Sequence, residues 1–200
     1  MSESGPYILG LTGSIGMGKS AVAAMFEGLD VPVFDADAAV HRLQGPDGAL
    51  LPTIEAAFPG TTGPQGVDRP KLGAAVFGDA QALARLEKIV HPAVGAMRQA
   101  FLADHADKPL IVFDIPLLFE KGGWEQVDAV LVVSASAEAQ RRRVLARPGM
   151  TREKFEQILA LQFPDAEKRA RADHVIDTGV SLAETRHAVQ ALVHQLRTRE

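Results

Sequence analysis

The chain has 200 residues, 46% of them hydrophobic and 23% charged, with a formal net charge of −4 and no cysteine. That suffices for one globular domain with room for an inserted lobe, excludes disulfides and thiolate metal sites, and argues against a general nucleic-acid binder. The start, MSESGPYILGLTG, lacks the basic region and long apolar run of a leader. The longest apolar runs, such as LIVF and AVLVV, are far too short for a bilayer. A cytoplasmic protein with no membrane segment is therefore expected, which suits a cysteine-free chain.

In chain order, Tyr7–Thr12 (YILGLT) reads as a buried strand, Ser20–Leu29 as a helix and Val31–Phe34 as a second strand. Between Asp37 and Lys108 no convincing strand is legible; helix-like pieces are split by QGPDG and FPGTTGPQG, and the Gly/Pro-rich 59–66 reads as a surface loop. Helices are expected over Ala80–Val90 and Ala93–His105, broken at Pro92. Strands follow at Leu110–Asp114, Asp128–Val133 and Asp173–Asp177, with helices at Ala137–Ala146, Thr151–Leu161 and Leu182–Arg197. Near-continuous apolar strands separated by helices predict a parallel sheet covered on both faces. The organisation expected is one kinase domain: a core (1–36, 108–140 and 172–200), a helical lobe (about 37–107) and a lid region (about 141–171).

The stretch GSIGMGKS, Gly13–Ser20, contains G-x-x-x-x-G-K-S between the first strand and the first helix. That context is the one a phosphate-binding loop requires. Glycines let backbone N–H groups of Gly13, Ser14, Ile15, Gly16, Met17 and Gly18 turn toward phosphate oxygens. Lys19 supplies a charge for the β- and γ-phosphates, Ser20 a hydroxyl for Mg²⁺, and the following helix its N-terminal dipole. ATP and Mg²⁺ are the expected cofactors.

Ligands of open parallel sheets lie beyond the carboxyl ends of the strands. Asp35 and Asp37 (DAD) end the second strand, and Asp114 ends LIVFD like a Walker B aspartate. A lone aspartate after a strand is often a helix N-cap; three together suggest a site. If Asp35 stays in the strand it faces the metal's water, while Asp37 accepts the proton of an attacking hydroxyl. Such an acceptor base separates a kinase from an ATPase, and no N-K-x-D motif for guanine is present.

Between Arg141 and Arg171 nine Lys/Arg face four acids in an otherwise acidic chain. A salt-bridged solvated face would explain the pattern. A lid would explain it too: Arg143 and Arg147 are four apart and read as one helix face, PGM turns, and TREK restarts a capped helix. Arg147 could then meet the γ-phosphate charge, with Arg141 and Arg142 facing solvent.

Taken in order, GLTGSIGMGKS, VFDADAAVHRL, IVHPAV, DIPLLFEKG, AEAQRRRVLAR, TREKFEQILALQ and ADHVIDTG resemble dephospho-CoA kinase, from about Leu9 to Gly179. The resemblance implies an α/β P-loop NTPase fold with an adenylate-kinase-like core of about five parallel strands, a helical substrate lobe and a lid. It implies transfer of the ATP γ-phosphate to the ribose 3′-hydroxyl of dephospho-CoA, the last step of coenzyme A synthesis. Asp37 matches the catalytic aspartate, Lys19 and Ser20 the phosphate and Mg²⁺ residues, and Arg143 and Arg147 lid arginines. Asp35, His91, Leu117 and Gln162 fall at substrate-side or lid positions, and Lys168 where the family carries a basic residue. Three positions depart from the pattern: Ala21 where Thr is common, RPGM at the lid turn, and Thr178 where Asn near the adenine is usual. The metal set expected is Ser20 with Asp35 or Asp114. His91 before Pro92 and Glu120 also have plain structural readings at helix starts. Another small-molecule kinase (nucleoside monophosphate, gluconate or shikimate type), or a nucleotide-binding regulatory module without catalysis, are the alternatives. A monomer without nucleic-acid partners is expected, with an oligomer left open; one Trp and one Tyr offer little for base stacking.

Overall fold

The computed structural model describes residues 5–198. It separates into two compact units, one formed by the chain up to Phe34 and from His105 onward, the other by Asp35–Asp104.

The larger unit holds a five-stranded sheet in the order β2-β5-β1-β6-β7. Its strands are β1 (Tyr7–Thr12), β2 (Val33–Asp35), β5 (Leu110–Asp114), β6 (Ala129–Ser134) and β7 (His174–Asp177). β1 pairs in parallel with β5 and β6, and β6 with β7. Every residue of β5 and β6 is buried, as a sheet covered on both faces demands. Alternation sorts β6: Ala129, Leu131 and Val133 pack with Leu9, Leu11 and helices α1 (Lys19–Glu27) and α9 (Leu182–Arg197). Val130 and Val132 pack oppositely, with Leu118, Phe119 and Phe163. Helix α9 begins where expected because Ser181 and Glu184 form a reciprocal capping box.

Helices α6 (Ala137–Leu145), α7 (Arg152–Ala160) and α8 (Asp165–Ala170) lie between β6 and β7. Ser136 caps α6 and Thr151 caps α7, as the TREK start predicted. The face expected to carry both Arg143 and Arg147 does not run that far: α6 ends at Leu145, and Arg147 is exposed in the connecting turn. Helix α8 and a short 3₁₀ turn at Gly123–Gln126 were not legible in the sequence. That turn carries the half-exposed Trp124.

The smaller unit contains α2 (Ala36–Gln44), α3 (Leu51–Ala57), α4 (Arg69–Val76) and α5 (Ala80–Asp104). The expected break at Pro92 is absent: α5 runs through it for 25 residues. One proline removes one intrahelical bond, but Leu86, Ile89, Val90, Ala93, Val94 and Met97 pack along both sides of it against Leu43, Ile54, Phe58 and Leu72. That continuous apolar stripe outweighs the local defect. The expected loop at 59–66 holds a small antiparallel hairpin, β3 (Thr62–Gly63) with β4 (Gly66–Val67). Glu55 pins it, accepting from Gly60 N–H at 2.6 Å and Thr62 Oγ1 at 2.6 Å.

Candidate active site

Between β1 and α1 the chain forms the loop Gly13–Gly18, with Lys19 and Ser20 in the first turn of α1. Its shape is set by the surrounding sheet and helices. A Cβ on Gly13 would stand 2.5 Å from Val133 Cγ2 and 2.8 Å from the Val133 carbonyl oxygen, so β6 leaves room for hydrogen alone. Gly16 and Gly18 have φ of 78° and 87°, in the region that favours glycine.

Several side chains outside the loop grip its main chain. Gln140 Nε2 donates to the Ile15 carbonyl at 2.8 Å, and Ile15 N–H donates to Gln162 Oε1 at 3.1 Å. Thr178 Oγ1 donates to the Met17 carbonyl at 2.7 Å. Arg143 donates to the Thr178 carbonyl at 2.6 Å and reaches the Gly16 carbonyl at 3.5 Å. Beside the loop a cavity of about 430 Å³ is lined in part by Met17, Ser136, Gln140, Arg169 and Asp177.

Lys19 Nζ hydrogen-bonds Asp114, whose carboxylate is buried at the end of β5. The sequence-predicted Lys19 and Asp114 are thus brought together. Ser20 and Ala21 are exposed on the first turn of α1. Ser14 is buried within the loop.

Thr178 is 7% exposed and bonded to the loop, so its hydroxyl is engaged with protein main chain rather than presented to a base. Gln162, expected on the acceptor or lid side, contacts the phosphate loop. Lys168, expected to touch substrate, is completely buried on α8, and its Nζ lies 2.8 Å from Glu120 Oε1. A fully buried ammonium cannot meet a ligand in this form, so its contact is a structural ion pair. Glu120 is no mere helix-start carboxylate, because the same oxygen also accepts from Phe163 N–H at 2.8 Å. Burial pushes the Glu120 carboxyl up, but the bonds from Lys168 and Phe163 outweigh it and hold the group below the usual carboxylate range. Leu117 is half-buried in the segment after β5. Gln140 and Glu120 were missed as site-supporting residues; DIPLLFE and the helix after the fourth strand were the only signals.

In the smaller unit Asp35 closes β2 and caps α2, its Oδ1 accepting from Ala38 N–H at 2.9 Å. Asp35 thus stays in the strand, as the metal-facing reading requires, and is a helix cap as well. Asp37 is exposed in the first turn of α2. His91 is exposed within α5, immediately before Pro92, rather than at a helix start.

The family model for dephospho-CoA kinase matches residues 7–184. The chain belongs to the dephospho-CoA kinase family. A dephospho-CoA kinase of Novosphingobium aromaticivorans is 71% identical over 192 residues, covering 96% of each chain. A crystal structure of a Thermus thermophilus protein is 36% identical, with a TM-score of 0.85 over 96% of this chain and 99% of that one. The dephospho-CoA kinase structure from Campylobacter jejuni has a TM-score of 0.62 at 24% identity, covering 96% and 97%, and bears on the fold alone. The fold is the α/β P-loop kinase fold of this family, and the family's members are ATP-dependent kinases.

Proposed function

We propose that this chain transfers the γ-phosphoryl group of ATP to the ribose 3′-hydroxyl of dephospho-CoA. The observation that carries the reading is a family match spanning the loop, the Lys19–Asp114 pair and Thr178 together. The Gly16 and Gly18 amides and Lys19 hold the β- and γ-phosphates, the Ile15 and Met17 amides being taken by Gln162 and the Ser14 carbonyl, and charge developing on the transferring group meets Lys19 and Arg147. Asp37 takes the proton of the attacking hydroxyl, so that the O–P bond to the acceptor forms as the bond to the β-phosphate oxygen breaks. Its exposure at a helix start is compatible with access by a bulky acceptor. Residues 37–107 serve as the acceptor lobe, with His91 and Leu117 in contact with the acceptor, and 141–171 as the lid.

Asp114 would offer a carboxylate and Ser20 a hydroxyl to magnesium, the oxygen donors that this ion takes. When bound, the ion neutralises charge between the β- and γ-phosphates. In the structure that carboxylate is paired with Lys19. We also infer an enzyme of the reducing cytoplasm, supported by the cysteine-free composition, and a monomer, with an oligomer left open.

The test is phosphate transfer from ATP to a panel of acceptors. Dephospho-CoA should be converted to CoA; conversion of a nucleoside monophosphate or shikimate in its place would overturn the reading, and no conversion of any acceptor would favour the regulatory alternative. Asp37→Asn should bind MgADP normally while lowering kcat by ~10² or more, and unchanged turnover would remove Asp37 from the chemistry.

A further inference from the structure

Ile15 stands at the crest of the phosphate loop, and glutamine side chains take both of its main-chain groups. Its carbonyl accepts from Gln140 Nε2 at 2.8 Å, and its N–H donates to Gln162 Oε1 at 3.1 Å. These glutamines come from opposite ends of one helical pair. Gln140 lies on α6, one turn after its cap Ser136, and is 6% exposed. Gln162 follows the last turn of α7. Neither is a lone surface contact. Arg143, three residues beyond Gln140 on the same helix, reaches the next carbonyl, that of Gly16. The residue after Gln162, Phe163, is fixed through its N–H to Glu120, which the buried Lys168 holds in turn.

We propose that Gln140 and Gln162 form a two-sided clamp on Ile15 that ties both stems of the α6–α7 pair to the phosphate loop, making them positioning residues for the nucleotide. This rests on the kinase reading only in taking Gly13–Ser20 as the ATP phosphate site. The physical argument is peptide planarity. A carbonyl and the N–H of the next residue point to opposite sides of a trans peptide. Holding the Ile15 carbonyl outward on Gln140 therefore turns Gly16 N–H the other way. Holding Met17's on Thr178 does the same for Gly18 N–H. Gln162 removes the remaining freedom by fixing the peptide before Ile15. The glycines that permit the loop's curvature would also permit other curvatures, and the clamp selects one. Since its two jaws sit on α6 and beyond α7, any shift of one helix against the other is transmitted to the donors that meet phosphate.

The experiment is calorimetric titration of the full chain with MgADP, using Gln140→Met and Gln162→Met singly and together. Methionine keeps side-chain length and bulk while removing the amide. Each single variant should weaken MgADP binding by roughly 5- to 50-fold, the effect of losing a hydrogen bond to a constrained polar group. The double variant should lose less than the product of the two, because both act on one residue. The KM for the acceptor should stay within about 2-fold of wild type in Gln162→Met. Wild-type MgADP affinity in Gln162→Met overturns the clamp, as does a fully multiplicative double variant. So does a raised acceptor KM with nucleotide affinity intact, which would move Gln162 to the acceptor side. If Gln140→Met does not fold, Gln162→Met and the shorter Gln162→Asn carry the test, both losing affinity if the clamp is real. Because the readout is MgADP binding, failure to phosphorylate dephospho-CoA would sink the proposed function without touching this one.

Discussion

At the scale of single residues, the loop's glycines answer to two masters. Gly16 and Gly18 need positive φ, whereas Gly13 is required by the Val133 atoms beneath it. Gly13→Ala would insert a methyl against backbone as well as side chain, a form of overpacking that costs about 1–3 kcal/mol. The variant should melt at a lower temperature even without nucleotide, as differential scanning calorimetry would read; an unchanged apo Tm would show that β6 can yield. Lys19 and Asp114 were legible one by one, because residue type and strand context point to phosphate chemistry. Their pairing was not, since 95 residues separate them and only the β1–β5 pairing brings the start of α1, which follows β1, beside the end of β5. The same distance hid Gln140: a glutamine in an Arg-rich helix carries no sign that its amide meets a carbonyl 125 residues earlier.

Elements show where local rules suffice. Helix α9 was readable end to end because its capping box and apolar stripe are encoded within the helix. Helix α5 was misread because Pro92 is a local signal and the packing that overrides it is tertiary. Helix α8, six residues after Pro164, is too short for periodicity to announce it. It carries the buried Lys168, which reaches Glu120. Removing one partner from a buried pair costs about 3–5 kcal/mol, whereas replacing both by apolar groups of similar volume is nearly neutral. Lys168→Met should therefore be strongly destabilised in urea unfolding, and Glu120→Leu combined with Lys168→Met should recover most of the loss. If the double variant is no better than the single, the pair is not the cause. The pH dependence has a definite sign. Glu120 titrates below its usual value in the fold, so its contribution is present above the unfolded carboxyl pKa of about 4.3 and is lost as pH falls through the lower folded value. Glu120→Gln should be weaker at neutral pH but flatter in stability between about pH 5 and 3; a parallel acid limb would assign that loss to other carboxylates.

For the whole molecule the division into two units has a thermodynamic counterpart. A ligand that binds only the folded form stabilises it by about 2.7 kcal/mol at a hundred times its Kd. Hydrogen exchange should localise that gain. MgADP should slow exchange in 13–20 and around 140–178, the segments that build and brace the loop, and leave 35–104 nearly unchanged. Dephospho-CoA should slow exchange in 35–104. Protection of 35–104 by nucleotide alone would count against 37–107 as the acceptor lobe. The parallel sheet of the larger unit was plain from its apolar strands, while the smaller unit was visible only as an interruption, its hairpin two residues to a strand and its helices short or carrying a proline.

Trp124 gives the molecule a use of a different kind. It is the only tryptophan in the chain, 46% exposed in the 3₁₀ turn four residues beyond Glu120. Its emission is therefore a native optical reporter on the segment after β5, uncontaminated by any other indole. With no thiol anywhere in the sequence, a single cysteine introduced on α7 could carry an acceptor dye without background, turning the separation between that segment and the helix into a distance followed in real time.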